Sequence, residues 1–334
     1  MMRTSIAHWL TLTLLISSAL LGNISSSSAS QLFVTLQSPG EVVSVDETTG
    51  NVSSVITSGL SFPRGIAYDP ANGHIYVADA PTSANNYGDF DRLTIKEFTT
   101  NGTFVSSFDG GPSGLYGGGL AFDKNGNLYV AGATADTLGR YSGGQVREYA
   151  TNGTELASTP GLSSMIPVQL ATDTSGNVFV SDANGGILKY ASGLTSSSVF
   201  VPSNSYSPFG IAVGSNGNVY VSYPPGNGTF VYDSLGNLIH TGSFVGGYAN
   251  VLGSDGFLYA LSPPGIYRMD VPDANLVSFS SINSQSLPGA EWMTEVPSNF
   301  SAVPEPGSLT LVGIGAAGLL IRAMRRRSQF YSAA

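Results

Sequence analysis

Five stretches of this chain repeat one another, at residues 64–80, 118–133, 168–183, 209–224 and 248–263. Each opens with small apolar residues and turns through a motif such as Asp123-x-x-Gly126 or Gly214-x-x-Gly217. Each then runs into an alternating apolar stretch centred on an aromatic: Tyr76, Tyr129, Phe179, Tyr220 or Tyr259. The intervals between these aromatics are about 53, 50, 41 and 39 residues. A period near 40 with alternating apolar strands is that of a propeller blade of four short strands. A parallel β-helix would repeat nearer every 20 residues.

Third strands follow each unit at Leu93–Phe98, Gln145–Tyr149, Ile187–Tyr190, Thr229–Tyr232 and Ile266–Met269. The turns at Asn101-Gly102 and Asn152-Gly153 are strong hairpin signals. Fourth strands are expected at Phe104–Phe108 and Leu276–Phe279 among others. The N-terminal stretches Leu32–Thr35, Glu41–Val45 and Val52–Ile56 read as strands two to four of a blade that lacks its first. The missing strand is expected near the far end, in Pro288–Met293, with Phe33 preceding Tyr76 by 43 residues. The prediction is an all-β, six-bladed β-propeller over residues 31–297, closed by pairing N-terminal strands with a C-terminal strand, so that no sheet edge stays open. The pattern Pro-x-Gly-Ile-Ala…Asn-Gly-Asn-x-Tyr-Val resembles the NHL-type repeat.

Both ends of the chain read as sorting segments. Met1–Arg3 form a short basic start, Ile6–Leu21 are mostly apolar, and Ser28-Ala29-Ser30 are small. Residues 1–30 therefore read as a signal peptide, cleaved by signal peptidase near Ser30 to leave Gln31 as the new N-terminus. At the other end, a linker at 298–303 precedes Pro304-Glu305-Pro306, then an uncharged run from Gly307 to Ile321, then Arg322 and Arg325-Arg326-Arg327. The uncharged run gives roughly 22 Å of helix, slightly short of a bilayer core, and a snorkelling Arg322 adds part of a turn. One C-terminal transmembrane helix is expected over residues 308–324, with the arginines cytoplasmic. The prolines hold the preceding motif extended and accessible.

This tail (304–327) resembles the PEP-CTERM sorting signal of Gram-negative bacteria. Pro304, Glu305 and Pro306 match the motif, Leu309–Ile321 the apolar segment and Arg325, Arg326 and Arg327 the basic end. The extension Ser328–Ala334 is longer than such tails usually carry. The resemblance implies an exosortase-type enzyme that recognises and cleaves the tail in the inner membrane. It implies release to the cell surface or the extracellular polysaccharide matrix.

Between the two segments, residues 31–303 carry 8 basic and 21 acidic side chains, a net charge of −13. That balance excludes a nucleic-acid surface, which needs clustered cations for phosphate, and it disfavours anionic lipid. With no cysteine in the chain there is no disulfide framework and no thiol nucleophile.

Candidate binding residues come from the two long units, whose extra length falls between second and third strands at 81–91 and 134–144. These insertions project on one face from adjacent blades. They offer Tyr87, Asp89 and Asp91, then Asp136, Arg140 and Tyr141, a mixture that suits extracellular polysaccharide or peptide. Asp69, Asp123 and Asp173 recur at first turns and read as Asx-turn formers rather than cation ligands. Asp79 and Asp182 end second strands and are better ligand candidates, yet no cofactor or metal cage follows from spacing alone. His74 and His240, the histidines outside the signal peptide, are expected to be exposed and structural. No catalytic Ser/His/Asp pattern is present. The reading is an exported, non-catalytic binding or structural component. Gluconolactonase-like and streptogramin-lyase-like enzymes share the architecture, so a metal-dependent lactonase or lyase is the alternative.

Overall fold

The computed structural model describes residues 30–80, 92–112, 117–135, 141–224, 226–242, 245–262, 265–271, 273–274, 287 and 289–298. In chain order, β1 (Gln31–Leu36), β2 (Glu41–Asp46) and β3 (Val52–Ile56) begin the closing blade. β4 (Phe62–Asp69), β5 (His74–Ala80), β6 (Arg92–Thr99) and β7 (Phe104–Pro112) form the next blade. β8 (Leu120–Phe122), β9 (Leu128–Ala135), β10 (Tyr141–Tyr149) and β11 (Glu155–Ser158) form another. They are followed by β12 (Pro167–Thr172), β13 (Val178–Asp182), β14 (Gly186–Tyr190) and β15 (Ser197–Val201). β16 (Ile211–Val213), β17 (Val219–Ser222), β18 (Thr229–Tyr232) and β19 (Leu238–Thr241) make the fifth sheet in chain order. β20 (Ala249–Leu252), β21 (Leu258–Ser262) and β22 (Gly265–Met269) make the sixth, and β23 (Ala290–Val296) returns to the first.

Every sheet is an antiparallel meander, and the closing one has the order β23-β1-β2-β3. Gln31 pairs with Val296 and Val34 with Met293, so the first and last strands form the seam of the ring as the sequence predicts. The innermost strands contact one another in the cyclic order β4, β8, β12, β16, β20, β23 and back to β4. The fold is a six-bladed propeller. The expected fourth strand at Leu276–Phe279 and the expected transmembrane helix at 308–324 lie outside the described residues; no helix among those described is long and apolar enough to cross a membrane.

Burial grades outward from the axis. Second strands are covered on both faces by neighbouring blades, so their aromatics Phe33, Tyr76, Tyr129, Phe179, Tyr220 and Tyr259 are all buried. Fourth strands face solvent, and Phe104 and Val199 are more than half exposed. The apolar core is correspondingly divided into six wedges. One, for example, joins Tyr76 and Ile95 of one blade to Leu128 and Val130 of the next. Burying each large side chain contributes roughly 1.5–3 kcal/mol, so adjacent blades hold each other. First turns close on a left-handed glycine in each of the five repeats: Gly73, Gly126, Gly176, Gly217 and Gly256 have φ between 75° and 86°.

Candidate functional site

Recurrent aspartates organise the turns, as expected. Asp69 Oδ1 accepts the Ala71 N–H at 2.8 Å, and Asp123 Oδ1 accepts the N–H groups of Asn125 and Asn127 at 2.8 and 2.9 Å. Asp173 repeats the pattern with Ser175 and Asn177, both at 2.9 Å. These are Asx turns.

Asp79 and Asp182 also serve backbone. Asp79 Oδ1 accepts the Ser61 and Phe62 N–H groups at 2.9 and 2.8 Å, while its Oδ2 takes Lys96 Nζ at 2.7 Å. Asp182 Oδ1 accepts the Ile166 and Asn184 N–H groups at 2.8 and 3.0 Å. Both carboxylates thus tie the chain entering a blade to the end of its second strand. In the blade between them the equivalent residue is Gly132, and a Cβ there would meet Arg147 Nη1 at 2.8 Å. The Arg147 guanidinium occupies that space and donates to Ala133 O.

His74 is the expectation that the structure corrects. It is half-buried rather than exposed, with Nδ1 2.7 Å from Glu97 Oε1. Glu97, 8% exposed, also accepts Tyr76 Oη at 2.9 Å and Ser106 Oγ at 2.6 Å. Burial pushes the Glu97 carboxyl up, but hydrogen bonds from His74, Ser106 and Tyr76 outweigh it and hold it below its ordinary value. His240 lies on the outermost strand β19 and is exposed.

Of the sequence-predicted binding residues, Tyr87, Asp89, Asp91, Asp136 and Arg140 lie outside the described residues, as do Pro304, Glu305, Pro306, Arg325, Arg326 and Arg327. Tyr141 opens β10 and pairs with Ala135. Gly143 pairs with Thr134, so part of the expected 134–144 loop is strand ladder.

The described residues enclose a different candidate, a central channel of about 450 Å³ lined by the innermost strands of all six blades. It runs from the first turns, at Pro70, Lys124 and Thr174, inward to Gln169, Asn250 and Trp292. Tyr68 and Phe122 contribute aromatic surface to its wall. Burial, with Asp69 nearby, pushes the Tyr68 hydroxyl up to about 12, so it is neutral at physiological pH. Trp292 is 5% exposed, and its indole N–H is buried without a hydrogen-bond partner among the described residues.

The polar groups at depth link neighbouring blades. Gln169 Oε1 accepts the Ile211 N–H at 3.0 Å, and Asn250 Oδ1 accepts Ser222 Oγ at 2.8 Å. Past them, Arg64 Nη1 donates to Gly117 O at 2.7 Å and Gln37 Nε2 to Glu291 Oε2 at 2.9 Å. Burial pushes the Glu291 carboxyl up, with Arg64 and Gln37 opposing it. Sequence reasoning missed Gln169, Asn250 and Trp292. Their signal was a departure from the repeat, because Gln169 stands where other units have Gly65, Gly119 and Gly210.

Among known families, residues 302–327 match the PEP-CTERM protein-sorting motif, residues 60–86 the NHL repeat and residues 110–138 a β-propeller repeat. No curated protein matches the chain. Among solved structures, a chain of a nidogen/laminin complex is 12% identical, with a TM-score of 0.63, covering 81% of this chain and 99% of that one. A protein of unknown function from Bacteroides caccae is 13% identical, with a TM-score of 0.54 and coverage of 80% and 99%. A gluconolactonase from Xanthomonas campestris is 16% identical, with a TM-score of 0.52 and coverage of 72% and 86%. These likenesses are of fold alone. The chain is a six-bladed β-propeller that matches the NHL repeat over residues 60–86 and carries a PEP-CTERM sorting motif.

Proposed function

We propose that this propeller is an exported, non-catalytic binding or structural component of the cell surface or extracellular polysaccharide matrix. Its tail is recognised by an exosortase-type enzyme at the inner membrane and cleaved near Pro304-Glu305-Pro306, after signal peptidase has removed the N-terminal leader. The observation that carries this reading is the sorting motif at residues 302–327, which follows the last strand of the ring at Val296. The binding half is supported by the channel, whose wall combines the aromatic residues Tyr68 and Phe122 with the polar residues Lys124 and Thr174. Such a wall suits a sugar ring or peptide that brings an apolar face and a hydrogen-bond acceptor. The non-catalytic half is supported by the carboxylates of Asp79 and Asp182, which are committed to backbone N–H groups.

The test uses the mature protein from its native host. Mass spectrometry should find a C-terminus close to Pro304, and glycan and peptide arrays should find a ligand whose binding falls at least tenfold in Tyr68→Ala. An intact 309–327 segment in the mature protein would overturn the sorting reading. Thermal stabilisation by Ca²⁺, Mg²⁺ or Mn²⁺ together with lactone hydrolysis would replace the binding reading with an enzymatic one.

A further inference from the structure

Beside the seam of the ring the protein buries a carboxyl group, one oxygen of which lacks a donor among the described residues. Glu47, which follows β2, is 5% exposed, and its Oε1 has no hydrogen-bond partner among the described residues. Around it stand Asp46 on its own strand, Asp255 from the β20–β21 turn and Glu295 from β23, with Arg268 of β22 opposing them. The neighbouring acids have donors: Glu295 Oε1 accepts the Ser254 N–H at 2.8 Å and Asp255 Oδ2 accepts Tyr259 Oη at 2.7 Å. Arg268 lies over the Phe257 ring, 4.0 Å from its centroid. Burial first, then Glu295 and Asp255, pushes the Glu47 carboxyl up to about 8.

The residue across the ladder from Glu47 is Ser30. Gln31 pairs with Asp46, which puts Ser30 opposite Glu47, and the Glu47 N–H donates to Ser30 O at 3.4 Å. Ser30 is itself built into the fold. It is 9% exposed, its hydroxyl lies 3.0 Å from Ser254 Oγ, and it accepts the Ser298 N–H at 3.2 Å. Cleavage that leaves Gln31 first would discard all of these bonds. Cleavage one residue earlier keeps them, and Ala29 with Ser27 then supplies the small residues that signal peptidase requires at the scissile position and two before it.

We infer that the leader is cut between Ala29 and Ser30, and that the α-ammonium released on Ser30 is the counter-ion of Glu47. Hydrolysis of that amide consumes one water and leaves a carboxylate on Ala29 and an ammonium on Ser30. The new charge enters an acidic pocket shared by β2, β20–β22 and β23, so maturation locks the seam where the two chain ends meet. This inference rests on the export reading for its cleavage step, whereas the ion pair can be tested without it.

The chain from Ser30 to Ala334 is compared with the same chain extended by its native residues 25–29, which move the ammonium roughly 17 Å along an extended backbone. Each is made as wild type and as Glu47→Gln. At pH 7 the free-Ser30 protein should melt at least about 3 °C above the extended one, and the gap should vanish in Glu47→Gln. The gap should also narrow as pH falls and Glu47, whose carboxyl burial and the neighbouring acids push up, takes a proton, and again above about pH 8, where an α-amine loses its proton. Equal midpoints, or a gap that persists in Glu47→Gln, overturn the ion pair. Independently, mass spectrometry of the exported protein should find Ser30 first. Gln31 as the first residue overturns the cleavage site, and an uncleaved leader overturns the export reading while leaving the ion-pair result standing.

Discussion

Glu97 shows how one side chain can hold together the outer half of a blade. It sits on a third strand and collects donors from the second strand (Tyr76 and, at its start, His74) and the fourth strand (Ser106). Its pKa is depressed below the ordinary 4.5 despite burial, so the unfolded chain takes up its proton first as pH falls. The stability it contributes is therefore fully present above pH ~4.5 and is lost as pH drops through the folded-state value. In Glu97→Gln, chemical denaturation at pH 7 should show a loss of about 1–3 kcal/mol, because buried donors lose a charged acceptor. The variant should then lose less than wild type between pH 5 and pH 3; parallel acid profiles would remove Glu97 from the account. Nothing in the sequence marked this residue, since a Glu on a third strand reads as an exposed polar position. His74 was misjudged for the same reason: a turn position hides the cross-strand reach of its side chain.

At the scale of elements, the repeat made most of the architecture legible. Strand alternation, turn glycines and the displaced first strand were all sufficient to place blades and seam, because a propeller's covered strands and tight turns each leave a compositional mark. What escaped was the channel, whose lining is set by small departures from the repeat. The innermost strands crowd toward the axis, and Gly65 shows the consequence. A Cβ on it would stand 1.9 Å from Gly118 O, and one on Gly119 would stand 2.5 Å from Val168 O. Backbone from the next blade occupies the space a side chain would need. Gly65→Ala should therefore cost about 1–3 kcal/mol through forced separation of two blades, and its thermal midpoint should fall by several degrees. An unchanged midpoint would mean that the inner ring can widen freely.

For the molecule as a whole, closure depends on β23, which carries buried Ala290, Trp292, Met293 and Val296 into two neighbouring wedges. Removing two or three such side chains forfeits several kcal/mol, a sizeable share of a typical domain's stability. It also leaves β1 as an unpaired edge. A chain that stops before Ala290 should melt lower and self-associate in sedimentation experiments, whereas a chain that stops at Ser298 should keep the full-length midpoint; equal behaviour of the two would make the seam dispensable. The register of that seam has one more consequence. Because Gln31 lies directly across from Val296, the chain enters and leaves the ring at the same point, and the blades have no intrinsic first or last member. A short peptide joining those two residues would make the backbone circular, and new termini could then be opened between any two blades. The order of blades in the gene is thus one of several circular permutations that encode the same object.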